Sequence, residues 1–172
     1  MRIADSLADG TTPTTDPPPE DFTGRVHASG SADPKAEEVP SGKAFGDVLA
    51  DVPVANVSTG TTVSVTFLGG SLNNDLKVQS TFMRVERLVA SGGASTWALV
   101  AEDGDIETRV SVVQDGLLSK KHEEVTCRWD VPPGAAPGTY RITHQGAYWH
   151  APFIGKAEAV AYEGSSSSFN VI

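Results

Sequence analysis

A two-residue alternation of apolar and polar side chains sets in near residue 44 and constrains this chain more than any other feature. Within 61–67, Val63, Val65 and Phe67 share one face, and Thr62, Ser64 and Thr66 share the other. Val125, Cys127, Trp129 and Val131 alternate with Thr126, Arg128 and Asp130; Tyr140 and Ile142 alternate with Thr139, Arg141 and Thr143. An extended backbone sends successive side chains to opposite faces, so such runs are strands with one side on a core. Further β-rich runs lie at about 81–88, 97–102, 108–113, 157–162 and 168–172. They are separated by turn residues at Gly69-Gly70, Asn73-Asn74, Gly92-Gly93, Gly104, Gly116 and Pro132-Pro133-Gly134. Seven to nine short strands without a convincing helix predict an all-β chain, an immunoglobulin-like antiparallel β-sandwich over residues 44–172. Tyr140, just inside a late strand, is placed to bond back to the preceding loop.

Residues 1–43 read differently. Pro13, Pro17, Pro18, Pro19, Pro34 and Pro40 interrupt a stretch poor in large apolar side chains, which predicts an extended Pro-rich N-terminal arm or linker. Its first ten residues are an exception: Ile3 and Leu7 are spaced i, i+4 and Gly10 follows, as at the end of a helix.

Charge narrows the function. Against 22 Asp+Glu the chain carries 13 Lys+Arg, a formal net charge of −9, and no basic stripe. Phosphate-backbone binding needs clustered cations, so nucleic acid is excluded as a partner. No run of about 18 apolar residues is present to form a membrane-spanning helix. The start, Met1-Arg2-Ile3-Ala4-Asp5, lacks the apolar core of a signal peptide. The single cysteine, Cys127, excludes an internal disulfide and a cysteine-based zinc site. It falls in phase with Val125 and Trp129, where a thiol is buried and inert.

Reactive constellations are scarce. Of the four histidines, His27 lies in the arm and His122 stands alone. His144 and His150 flank Gln145–Trp149, which reads as a solvated hairpin loop in preference to a metal or ligand pocket. Tyr148 and Trp149 there form the most exposed-looking aromatic pair, a docking patch or a satellite of the core. The run Gly164–Ser168 reads as a flexible connector into the last strand rather than a serine elbow. The acidic stretch 102–109 (Glu102, Asp103, Asp105, Glu107, then Thr108 and Arg109) offers hard oxygen ligands to a cation, but acidic residues in a turn are usually just solvated. No nucleophile, base and orienting group assemble, so the residues by themselves describe a non-catalytic sandwich.

Seven segments, in order, resemble the C-terminal part of the neutral/alkaline ceramidases. They are Gly42-Lys43-Ala44-Phe45-Gly46-Asp47-Val48-Leu49; residues 63–70 with Asn73-Asn74; and 81–88, Thr81 to Leu88. Trp97 with 105–109, Trp129-Asp130-Val131-Pro132, 137–144 from Pro137 to His144, and 163–169 from Glu163 to Phe169 complete the series. Ala4–Gly10 and Pro17–Phe22 are similar to the end of the family's catalytic domain and its connection, so 1–43 would be a helix end plus linker and 44–172 the sandwich. The resemblance implies a parent enzyme that uses zinc to hydrolyse ceramide to sphingosine and a fatty acid, secreted or periplasmic, with its zinc ligands in a catalytic domain absent from this chain. No cofactor and no activity are then expected of the chain alone. The catalytic domain is the expected partner, with a membrane or lipid surface as a second. Calcium or magnesium is expected near the domain interface, with Asp105 and Thr108 as the candidate ligands. The docking face is expected to include Phe45, Leu49 and the turn with Asp103, Glu107 and Arg109. The rival expectation is an autonomous adhesion or glycan/protein-binding sandwich that recognises its ligand through Tyr148 and Trp149.

Overall fold

In a computed structural model of the chain, the described residues are 39–70, 81–114, 122–150 and 158–172. Ile3, Leu7, Gly10, His27, the proline-rich arm up to residue 38, Asn73-Asn74 and Gly116 lie outside them. Every regular element among the described residues is a strand: β1 Val48–Ala50, β2 Asn56–Val57, β3 Thr62–Gly69, β4 Met83–Ser91, β5 Ala94–Glu102, β6 Thr108–Gln114, β7 Glu123–Asp130, β8 Gly138–His150, β9 Glu158–Ser165 and β10 Phe169–Val171. The expected all-β architecture is therefore present. Four strands form one sheet in the order β1-β3-β7-β6, and six form a second, β2-β10-β8-β4-β5 with β9 also on β8. All pairings are antiparallel except β2 with β10, which run parallel.

The alternation seen in the sequence now has a physical address. Val63, Val65 and Phe67 of β3 and Val125, Cys127 and Trp129 of β7 form one wall of the core. Met83, Val85, Tyr140, Ile142, Phe169 and Val171 of the second sheet form the other. Trp129 stacks on Tyr140 with ring centroids 5.3 Å apart, and Tyr140 on Phe169 at 6.2 Å. Burying a side chain of this size contributes about 1.5–3 kcal/mol relative to leaving it in water. Tyr140 satisfies its hydroxyl by donating to the Ala136 carbonyl at 2.6 Å, the backward bond expected of it. Cys127 is fully buried, and that burial, aided by the nearby Asp103 carboxylate, pushes its thiol up to about 12.

Three local expectations are corrected. Residues 145–149 are not a loop but the continuation of β8, zipped to β9 with Gly146 opposite Tyr162 and Tyr148 opposite Val160. Gly146 and Gln145 carry a turn-like signature, yet thirteen residues of cross-strand pairing override it. Tyr148 and Trp149 are accordingly half-buried neighbours on a strand, pointing to opposite faces, and form no joint patch. The connector after Gly164 is not loose. Ser166 N–H donates to the Ile142 carbonyl at 2.8 Å, Ser166 Oγ accepts from Ile142 N–H at 3.0 Å, and Ser167 N–H donates to the Asp51 carboxylate at 3.1 Å.

Candidate functional site

Two regions concentrate unusual chemistry: the end of the sandwich where β8 and β9 run on beyond β4, and the side where β5 turns into β6.

The first is organised by residues 40–47. Lys43 N–H closes a turn on the Pro40 carbonyl at 3.0 Å, and Asp47 N–H closes the next on Ala44 at 3.1 Å. The Asp47 carboxylate caps Ala44 N–H at 2.9 Å. Gly46, at φ 92°, bridges the two sheets. Its N–H donates to Leu68 of β3 at 2.8 Å, while its backbone lies directly on Gly164 of β9, where neither residue has room for a Cβ. This crossing lays Phe45 on Tyr148, with centroids 4.4 Å apart, and beside Tyr162 at 5.6 Å. A shallow cavity of about 420 Å³ opens there, lined by Val39, Lys43, Phe45, Tyr148, Val160 and Tyr162 among others.

Below the aromatic group His144 ties four segments together. Its Nδ1 lies 2.8 Å from the Phe82 carbonyl, which only accepts, so Nδ1 carries the proton. Nε2 then accepts from the Tyr162 hydroxyl at 3.2 Å, and that hydroxyl accepts in turn from Gly70 N–H at 2.8 Å. The ring also packs on Phe67 at 5.6 Å. Burial holds His144 below its ordinary pKa against the opposing pull of the Phe82 carbonyl and Asp103, so the ring is neutral at pH 7. The histidine read as flanking a loop is thus the knot of this end of the fold. The signal lay in phase: Tyr140, Ile142, His144, Gly146, Tyr148 and His150 continue one period-two series.

On the opposite face of β8 lies a polar network that the sequence does not announce. Glu86, 7% exposed, accepts from Arg141 Nε at 2.7 Å and Thr143 Oγ1 at 2.9 Å. The Arg141 guanidinium rests 4.4 Å from the centre of the Trp97 ring. Thr143, expected on a solvated face, is closed over by Glu86 and by Ser165 at 3.1 Å. Arg84 meets Glu163 at 2.7 Å, and Gln145 donates to the same carboxylate at 2.6 Å.

The second region is the acidic turn. Asp105 Oδ2 accepts from Glu102 N–H at 2.9 Å, and Thr108 Oγ1 lies 2.7 Å from the Glu102 carbonyl and 3.0 Å from that of Asp105. Asp103 accepts from the Thr81 hydroxyl and from Met83 N–H at 3.3 Å. Glu107 passes its carbonyl to Asp130 N–H at 2.8 Å, and Arg109 is exposed. Among the described residues no three His, Cys, Asp or Glu side chains converge as a metal-ligand group. The expected interface residues are spread across the four-stranded sheet. Leu49 lies in β1 and Arg109 in β6, the two edges of the four-stranded sheet, with β3 and β7 between them. Three strand spacings separate those edges by about 14 Å. Phe45 joins the Leu49 side, and Asp103 and Glu107 the Arg109 side.

Comparison with known proteins fits this architecture to one family. The family profile described as "Neutral/alkaline non-lysosomal ceramidase, C-terminal" matches residues 1–171. Neutral ceramidase B of Dictyostelium discoideum is 34% identical over 171 residues, covering 99% of this chain and 22% of that protein. Neutral ceramidase 1 of Arabidopsis thaliana is 38% identical over 138 residues, 78% of this chain and 17% of its own. The crystal structure of the Pseudomonas aeruginosa neutral ceramidase superposes with a TM-score of 0.67 at 32% identity, over 80% of this chain and 20% of that one. The chain thus spans about a fifth of the length of the curated relatives it matches.

Proposed function

This chain belongs to the neutral/alkaline non-lysosomal ceramidases as their C-terminal domain, and we propose that it works as a non-catalytic module of such an enzyme. In this reading it docks on a catalytic portion that hydrolyses the amide of ceramide to sphingosine and a fatty acid, supports the folding of that portion, and assists its handling of lipid. The observation that carries the reading is the match of the C-terminal family profile to 171 residues, set against coverage of only about a fifth of each relative.

The chemistry of the described residues is consistent with a supporting role. Zinc, implied by the family's activity, does not fit them. His144 engages both ring nitrogens internally, Cys127 is a core thiol pushed up to about 12, and no three ligand side chains converge. In this reading the hydrolytic metal belongs to the catalytic portion. A calcium or magnesium ion at the 103–108 turn takes roughly six to eight oxygens. Asp105 and Thr108 supply only part of such a set, so in this reading the ion draws its remaining ligands from across the interface. The rival adhesion reading loses its recognition loop, because Tyr148 and Trp149 lie on opposite faces of β8.

A chimera tests the proposal. The C-terminal fifth of the Pseudomonas aeruginosa neutral ceramidase is replaced by this chain, and ceramide hydrolysis is compared with the unmodified enzyme and with the enzyme lacking that fifth. Restored, zinc-dependent hydrolysis is expected of the chimera. A soluble chimera no more active than the truncated enzyme would refute the module reading.

A further inference from the structure

We propose that the β5 edge of the six-stranded sheet, from Leu88 and Trp97 through Leu99 and Val100 to Ile106, is the surface that docks on the catalytic portion, and that its counterpart there is an apolar polypeptide surface with a basic flank. This deepens the module reading and rests on it.

The distribution of exposed apolar side chains points to this edge. Eight large hydrophobics are exposed among the described residues, and four fall in the β4–β5 hairpin and the turn after it: Leu88 at 36%, Leu99 at 56%, Val100 at 45% and Ile106 at 88%. Single exposed leucines are ordinary, but a run along one edge marks a contact surface. The register explains how they come together. Leu88 lies opposite Trp97, and Leu99 opposite Glu86, on the outer face of the sheet. The pairing then slips between Val85 and Glu86, which leaves Val100 as the extra residue of a bulge. Trp97 is already fixed beneath the Arg141 guanidinium, and Arg141 in turn by Glu86, so little side-chain freedom is lost when a partner arrives.

β5 is also an unguarded edge. Among the described residues it pairs only with β4, and 94–101 contains no charged residue and no proline. Natural edge strands are usually blunted by such residues, because an open row of N–H and C=O groups invites pairing. An edge left bare over this length among the described residues offers its N–H and C=O groups to a partner. The partner's flank is dictated by charge. Glu102 and Asp105 are exposed just beyond the apolar stretch and Glu107 is half-buried, which favours a cationic counterpart and disfavours an anionic lipid surface. The Phe45 end is a weaker claimant, since its aromatic rings are stacked on one another within the domain.

The test uses the same chimera, with Leu99→Asp and Val100→Asp together, Ile106→Asp alone, and Val113→Asp on the other sheet as the control. The readout is the half-time of ceramidase activity at a temperature near the chimera's inactivation midpoint, because an undocked module leaves the catalytic portion unsupported. The double variant is expected to shorten that half-time at least tenfold and Ile106→Asp at least threefold, with Val113→Asp unchanged. Melting of this chain alone carrying each substitution checks that the sandwich itself stays folded. If the double variant unfolds alone, Ile106→Asp, which sits in a turn, decides the question. Unchanged half-times in an active chimera overturn the surface and leave the module reading standing; equal loss from Val113→Asp also overturns it. An inactive unmodified chimera overturns the module reading itself. If sedimentation shows that Leu99→Asp with Val100→Asp instead splits a dimer of this chain, the edge belongs to a second copy and the proposal fails.

Discussion

Replacing Gly164 by alanine asks whether backbone contact between the 40–47 turn and β9 holds the aromatic end closed. Gly164 is not in the left-handed region, so alanine brings no backbone strain and the penalty is steric. The new Cβ overlaps the Gly46 carbonyl oxygen and lies 2.7 Å from its carbon and 3.0 Å from Gly46 Cα. Carbon atoms in ordinary contact sit about 3.5–4.0 Å apart, so turn and strand must separate by about 1 Å. Neither side yields freely. Gly164 is in the ladder opposite His144, and Gly46 and Asp47 exchange two 2.8 Å hydrogen bonds with Leu68. Those bonds are worth about 1 kcal/mol each, overpacking costs about 1–3 kcal/mol, and the Phe45–Tyr148 stack contributes about 0.5–1.5 kcal/mol. The losses overlap, which gives a destabilisation of about 2–4 kcal/mol and a fall in Tm of about 6–12 °C. Urea and thermal unfolding measure it. Gly134→Ala, which meets nothing within 4 Å, is the control and should change little. Phe45→Ala should cost less in the Gly164→Ala background than alone, because the stack is already open. A change of less than about 0.5 kcal/mol for Gly164→Ala would show that the contact is not a constraint.

Two buried groups give further outcomes. His144 has a lowered pKa in the folded state, so as pH falls the unfolded chain takes the proton first. Its contribution to stability is flat above the ordinary value of 6.5 and declines below it, by up to about 1.4 kcal/mol per pH unit, until pH passes the lowered folded-state value. Urea melts between about pH 8 and pH 5 should show that decline in the wild type and a flatter profile in His144→Gln; parallel profiles would mean that the Phe82–His144–Tyr162 chain does not select the neutral ring. Cys127, with its thiol pushed up to about 12, should react with a thiol reagent at pH 8 at least ~1,000-fold more slowly in native buffer than in urea. Complete labelling within minutes by a protein that keeps its fold would place that thiol outside the core.

The strands were legible wherever alternation alone decides the outcome. β3 and β7 appear in the sequence as they do in space, because each has one face on the core and one in water. The errors cluster in β8 and β9, where both faces are occupied. There the outer residues Thr143 and Gln145 bond to carboxylates and a serine rather than to water, so polarity no longer marks a solvated face. Gly146, read as part of a loop, and Gly164, read as part of a connector, are strand residues, and Gly164 is small because another backbone crosses it. A sequence records that a glycine is present; which chain segment needs the space is settled only by tertiary contact.

Tertiary contact also bears on the acidic turn, whose residue types alone offer oxygens to a cation. In the structure Thr108 turns its hydroxyl to two backbone carbonyls and Asp105 caps Glu102 N–H, so both side chains shape the β5–β6 connection before any ion arrives. These two side chains offer far fewer than the roughly six to eight oxygens that a calcium ion takes, so binding by the separate domain is expected to be weak. If the turn also forms the flank of the docking surface, the partner adds ligands to the same ion, and each event then favours the other by the same free energy. Calcium or magnesium should accordingly leave the Tm of this chain alone nearly unchanged while raising that of the chimera, a difference that thermal melts with and without chelator measure directly. Equal stabilisation of both proteins would mean that the turn holds the ion by itself, and the coupling between ion and docking would be absent.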